Sequence, residues 1–321
     1  MNDIIFYDFD FNLLYILPPY AVDTGFISVN ATKEFCGDGS FELVFCDDGL
    51  KEVVNAHKDE IFVKWGKFEG FLTGFKWEEN GDRLFGMSLN ALLHRVVFPP
   101  TKAVQVTNRT AEFIVRDMIA TYATWLELGS EAGFTNIITF STDKYQAADM
   151  FVSDCLKEDN GGFEIYADYA NKKFVFRCLK RRETELIISE NLLNSYNFVT
   201  TYTNKELAFG GWYETEIENS EGETEKVWKY ISSAEKTGIQ KIDVVLSATT
   251  KSEAEKELKK HTAEYNVEAE TKDLIFGTDY SVGDIVRLQE GDITVKKVIS
   301  SVDIWQEETY GEQPKFNDLE V

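Results

Sequence analysis

From Phe41 the chain reads as a half-buried strand, with Phe41, Leu43 and Phe45 on one side and Glu42 and Val44 on the other. This two-residue period constrains the fold more than any other feature, because it recurs with turn formers at fixed places around it. A Gly-Asp-Gly turn ending at Gly39 precedes it and Asp47-Asp48-Gly49 closes it. Leu50 to Ala56 then fits two helical turns, with Leu50, Val53 and Val54 on one side. Glu60 to Trp65, Phe68 to Phe75 and Arg83 to Leu89 are further strands, separated by Gly66 and by Asn80-Gly81, a dipeptide that tolerates the positive φ of a hairpin. Gly70 and Gly74 within a strand predict bulges or close backbone approach. The first module ends at Pro99-Pro100.

Past the prolines the period becomes helical. Ile114, Met118, Tyr122 and Trp125 form one stripe of a helix starting near Thr110, with Asn108 or Thr110 as its N-cap. A second helix, about Thr142 to Asp159, carries Tyr145, Ala148, Val152, Cys155 and Leu156 on one face and stops at Asn160-Gly161-Gly162. A hairpin follows, Phe163 to Tyr169 and Lys173 to Leu179, leading to the basic run Lys180-Arg181-Arg182. Strands return at Asn197 to Thr203, Glu206 to Glu214, Val227 to Ser232 and Gln240 to Leu246, with the acid-rich stretch Thr215 to Lys226 read as a solvated loop. A helix with capping-box spacing at Ser252 and Glu255 places Ala254, Leu258, His261 and Tyr265 on one face. Lys272 to Phe276, Ile285 to Gln289 and Thr294 to Ile304 complete the strands, with turns at Gly283-Asp284 and Gly291-Asp292. The last third repeats the plan of the first: strands, one helix, strands. The expected class is mainly β with an α+β insertion: β-barrel or sandwich modules over residues 1–106 and 185–321, each with one helix, flank a small α+β domain over 107–184.

Composition sets limits on function. With 24 Phe, 14 Tyr and 6 Trp among 321 residues and five Pro, the chain suits pleated, half-buried surfaces. A net charge of −23 argues against a general nucleic-acid binder and keeps the chain soluble. No run of about 18 apolar residues and no basic leader is present, so a soluble protein made in the cytoplasm, without a membrane anchor, is expected. Cys36, Cys46, Cys155 and Cys178 lack metal-site spacing, as do His57, His94 and His261, and the thiols are expected free and buried. With 56 acids, neighbours such as Glu78-Glu79 and Glu307-Glu308 are inevitable and do not mark a glycosidase. His94, in an apolar run, and His261, on a helix stripe, read as structural rather than catalytic. There is no phosphate-cradling glycine loop, and no catalytic, cofactor-binding or metal-ligating residue is expected.

The order "GSFELVF" (39–45), "FEGFLTGFKWEENGDRLFGMSLNALLHRVVFPP" (68–100) and "DYSVGDIVRLQ" (279–289) resembles the Gp37-like family of siphophage proteins, and more broadly the baseplate hub or tail-associated proteins of phage tails and contractile injection machines. The strand ending in "SLNALLHRVVFPP" carries most of the likeness, since "SVGDIV" is a general way of entering a strand. The resemblance implies two tube-type β modules per chain and a homotrimer whose six similar modules ring a channel. It also implies a tail tube or distal tail protein on one side, a spike or tip protein on the other, contact with a tape-measure protein, and DNA that passes without specific binding. Phe41, Leu89, Leu92, Leu93 and Arg95 in the first module, and Val282, Asp284 and Ile285 in the last, are the candidate interaction residues. An ordinary core or turn role is the alternative for each. A carbohydrate- or receptor-binding tail component and a tail-associated peptidoglycan hydrolase are the competing functions.

Overall fold

The computed structural model of the chain describes residues 2–19, 25–78, 81–97, 105–141, 147–204, 207–218, 224–261, 264–307 and 309–319. In chain order it begins β1 (Ile4–Asp8), β2 (Leu13–Leu17), β3 (Phe26–Glu34), β4 (Ser40–Phe45), α1 (Asp48–His57), β5 (Ile61–Trp65), β6 (Phe68–Lys76) and β7 (Asp82–Ser88), then a 3-10 turn over Leu89–Arg95. The middle holds β8 (Gln105–Thr110), α2 (Ala111–Tyr122), β9 (Leu126–Leu128), β10 (Ile137–Ser141), α3 (Ala148–Lys157), β11 (Gly161–Asp168), β12 (Lys173–Lys180) and β13 (Arg182–Ile188). The remainder is β14 (Ser195–Thr203), β15 (Gly210–Glu218), β16 (Thr224–Ser232), β17 (Asp243–Val245), α4 (Lys251–Leu258), β18 (Glu264–Thr271), β19 (Asp284–Glu290), β20 (Ile293–Gln306) and β21 (Tyr310–Asp318). The protein is mainly β with α insertions, as its alternation predicts. Among the described residues no helix is long and apolar enough to cross a membrane.

Contacts divide the chain into two compact units: Met1–Tyr196 with Glu270–Glu320, and Asn197–Ala269. This differs from the division expected at 106 and 184, and the reason is β20. Its fourteen residues pair with β19 at one end and with β3 at the other, putting Asp303 opposite Thr32 and Ile304 opposite Ala31. The β segments at the two ends of the chain therefore share one eleven-stranded sheet, ordered β13-β19-β20-β3-β4-β7-β6-β5-β1-β2 with β21 on the other side of β20. Among the described residues only β13 and β19 pair in parallel in it. Among the described residues this path has two ends, so of the barrel or sandwich expected, a closed barrel is not formed.

Local chemistry explains the elements. Asp47 caps α1 by accepting from the Leu50 amide at 2.9 Å, and the Tyr15 hydroxyl donates to the same carboxylate at 2.7 Å. That bond, with burial second, pushes the tyrosine up to about 12. Thr110 caps α2 through the Phe113 amide at 3.2 Å. In the first turn of α2, Glu112 is buried and accepts from the amides of Ala132, Gly133 and Phe134 at 2.6, 2.8 and 3.1 Å. Ile114 and Met118 face the core as expected, but the helix ends at Tyr122, and Trp125 lies beyond it, exposed. Helix α3 starts at Ala148; Tyr145 and the expected start at Thr142, like Asn80 and Pro99-Pro100, lie outside the described residues. The strand shifts register between Leu72 and Gly74, and a side chain at Gly70 would meet the Met87 carbonyl, as their positions predict.

Three expectations need correction. Pairing of β15 with β16 runs out to Glu218 and Thr224, so most of the supposed loop at 215–226 is strand. The capping box sits two residues earlier, at Thr250 and Glu253, and α4 ends at Leu258, before His261. Lys272 to Phe276 is no strand: the Ile275 amide donates to Asp279 at 2.7 Å and that of Phe276 to Glu312 at 2.6 Å. The thiols of Cys155 and Cys178 are buried and free, whereas Cys46 is exposed.

Candidate interaction surfaces

The candidate residues occupy four settings rather than one patch. Phe41 is buried on the inner face of β4, its ring stacked on Phe68 at 5.7 Å. Leu89, Leu92 and Leu93 project from the 3-10 turn into the core that α2, α3, β11 and β12 share, at 0–2 % exposure. Their side chains are consumed inside the chain. Arg95 is exposed, with its guanidinium 5.0 Å from the ring centroids of both Phe9 and Phe71. Val282, Asp284 and Ile285 lie together where β19 begins.

The Gly-Asp-Gly turn has a clear job. Gly39 has φ +56, and a Cβ there would sit 2.2 Å from the Thr32 carbonyl, so the position requires glycine. The turn presents the Gly37 carbonyl to the Asn90 amide at 3.1 Å and the Asp38 carbonyl to the Ser88 amide at 2.9 Å. The Asp38 carboxylate meets His94 Nε2 at 2.9 Å, and Asp149 of α3 approaches the same nitrogen at 3.3 Å. His94 thus ties the 3-10 turn to the preceding turn and to α3. Among the described residues no three His, Cys, Asp or Glu form a metal-holding group.

The eleven-stranded sheet carries a groove of mixed polar and aromatic lining. Asn30, Thr32, Ser40, Glu42, Asp303 and Gln313 line a groove of about 810 Å³ with Phe85 and Trp305. Thr32 donates to Asp303 at 2.8 Å, and Lys315 reaches the other oxygen of that carboxylate at 2.6 Å. In the smaller unit, α4 covers one face of the β16-β15-β17 sheet through Tyr213, Leu246, Ala254 and Leu258. Register places Trp212 beside Tyr230 and Val245 on the opposite face, with Trp228 two pairs further along, and all four are exposed, Val245 at 71 %.

Around Asp284 the surface is basic. Arg182 grips this buried carboxylate with two bonds of 2.8 and 3.0 Å, and the Ser281 amide donates to it at 2.8 Å. Gly283 before it, at φ +86, packs so closely on Phe35 that a Cβ would come within 2.2 Å of the ring. Val282 and Asp284 line a pocket of about 380 Å³ with Lys33, Glu164, Arg177 and Lys180. Glu164 receives Lys33 at 2.5 Å and Arg177 at 2.5 and 2.9 Å. Burial drives its carboxyl up, but Lys33 and then Arg177 outweigh that and hold it below the usual carboxylate value. Sequence reading reached this pocket only through the run at 180–182 and the Gly283-Asp284 turn. Lys33 and Glu164 come from strands 131 residues apart, with no local pattern to join them.

No protein-family model matches the chain, and no curated protein matches it. Solved structures do. Prophage tail protein gp18 from Listeria monocytogenes EGD-e aligns with a TM-score of 0.57 at 15% identity, over 98% of this chain and 94% of that one. The 43 kDa tail protein of prophage MuSo2 from Shewanella oneidensis gives 0.55 at 11% identity, over 98% of each chain. The tail protein from Neisseria meningitidis MC58 gives 0.53 at 10%, over 98% and 95%. At these identities the likeness is one of architecture, and because it runs through nearly the whole of each chain, this protein has the fold of phage tail proteins.

Proposed function

We propose that the chain is the structural hub of a phage tail or tail-like particle, made in the bacterial host cytoplasm and built into the tail. Three copies form a pseudo-six-fold ring, each giving two tube-type β modules, read over 1–106 and 185–321 and sharing the eleven-stranded sheet. The ring joins the tail tube, or a distal tail protein, to the spike or tip, with a tape-measure protein as a further contact. DNA crosses the channel without sticking, for which a net charge of −23 is suited. The observation carrying this reading is the match in fold to tail proteins over 98% of the chain. Arg95, Val282 and Ile285 are proposed at or near the subunit contacts. Phe41, Leu89, Leu92 and Leu93 act from beneath, by shaping the surface above them.

Native mass spectrometry and negative-stain images of the same sample test this. A trimeric ring with a central hole and six-lobed outline is expected; a strict monomer at every concentration in both measurements would overturn it. The exposed Trp212, Trp228 and Tyr230 face favours a second reading, adhesion to a host glycan. A glycan array separates the two, because a hub ignores sugars.

A further inference from the structure

We propose that the basic pocket beside Asp284 is a socket for carboxylate side chains of a second copy of this chain, which rests on the hub reading because that reading supplies the neighbouring copy. Lys33, Lys67, Arg177, Lys180 and Arg182 line it against only Glu164 and Asp284, an excess of three positive charges in a chain whose net charge is −23. The two acids are already spoken for, Glu164 by Lys33 and Arg177, and Asp284 by Arg182. Lys67 and Lys180 have neutral partners. Lys67 donates to the Phe276 carbonyl and lies 5.9 Å from that ring, and Lys180 donates to the Gly133 carbonyl and lies 5.3 Å from the ring of Phe134. Among the described residues neither has a carboxylate within ion-pair distance.

Cations gathered in one concavity raise each other's energy, and an incoming carboxylate relieves that repulsion. A volume of about 380 Å³ admits one or two acidic side chains. Nucleic acid is the poorer fit, since a polyanion is repelled by the chain as a whole. A second copy carries 56 acids to offer. The lysines come from different elements, Lys67 from the β5–β6 turn and Lys180 from the end of β12, so the pocket reads a carboxylate only when both segments are in place.

The test mixes unlabelled and ¹⁵N-labelled chains, lets them assemble, and treats them with a zero-length carbodiimide that joins lysine to carboxylate. Mass spectrometry should find mixed-isotope peptides linking Lys67 or Lys180 to an Asp or Glu of the other copy. Lys67→Ala/Lys180→Ala removes two exposed ammonium groups without unpairing Glu164 or Asp284; it should abolish those peptides and weaken association about tenfold or more. Assembly with only single-isotope links at these lysines, and a double variant that assembles like the wild type, would sink the socket and leave the hub standing. A chain that never assembles and gives no mixed peptides overturns both. Protection of the same lysines by a short DNA duplex, with no link between copies, overturns the socket in favour of nucleic acid.

Discussion

Replacing Asn90 should be among the most damaging single changes, because one amide closes the edge of a strand. In the β11-β12-β9 sheet, β11 lies at the end, and its outer edge offers the amides of Phe163, Ile165 and Ala167. The Phe35 carbonyl takes the first at 3.3 Å, Asn90 Oδ1 the second at 2.8 Å and Glu69 the third at 2.9 Å. Asn90 Nδ2 also donates to the Phe163 carbonyl at 3.3 Å and to Gly37 at 3.1 Å. A buried side-chain amide therefore stands in for a neighbouring strand and joins β11 to the Gly-Asp-Gly turn. Asn90→Ala orphans the Ile165 amide and the Phe163 carbonyl in the interior; the Gly37 carbonyl is nearer water. At about 1–3 kcal/mol for each of the two buried orphans, the loss should be roughly 2–6 kcal/mol. Asn90→Leu, of similar size, should lose nearly as much, which separates polar pairing from packing. Urea unfolding at constant m reads the magnitude. Faster hydrogen exchange at the Ile165 amide reads the location. A loss below about 0.5 kcal/mol in both variants, with Ile165 still protected, would refute the reasoning.

Acid should loosen the contact between β3 and the β11-β12 hairpin. Glu164 sits below its ordinary value of 4.5 in the fold, so its contribution is complete above that value and disappears as pH falls through the lower folded value. Glu164→Gln should be less stable than wild type at neutral pH, with the gap closing below about pH 4.5, as measured by denaturant midpoints across pH; a gap independent of pH would contradict the pairing. The capping box of α4 gives a positional test: Thr250→Ala should cost about 1 kcal/mol and Ser252→Ala less than about 0.5 kcal/mol in the same unfolding assay. The reverse order would restore the register expected from the sequence.

Local order was legible where the period was clean. α1, α2 and the β11-β12 hairpin lie close to where their patterns place them, because each buries one face and is closed by its own turn residues. The strands overlooked lack that period. A register shift between Phe26 and Ser28 interrupts β3, charges fill β13, and β21 contains Pro314. Long-range pairing makes strands of them: β21 exists because β20 offers it a partner along Lys297–Gln306. The union of the chain's two ends through β3 and β20 was hidden for the same reason, since sequence patterns report local burial and not which strand lies alongside. The leucines at 89, 92 and 93 were singled out for their sequence context, but the middle segment covers them, and that coverage has no local signature.

The sheet edges bear on how the chain meets copies of itself. Exposed strand edges invite unwanted pairing, and proteins blunt them with charge, proline or cover. β21 has Pro314 and alternating polar residues; β13 has Glu183 and Glu185 paired to Lys296 and Arg287; β11 is sealed by Phe35, Asn90 and Glu69. β2 differs. It ends the eleven-stranded sheet among the described residues, its sequence LLYIL has neither charge nor proline, and Leu13 and Ile16 are 56 % and 48 % exposed. A strand less guarded than these three is a liability in a solitary chain and an asset in a ring closed by sheet continuation. On the hub reading, assembly would cover this apolar edge strand with a strand of the next copy.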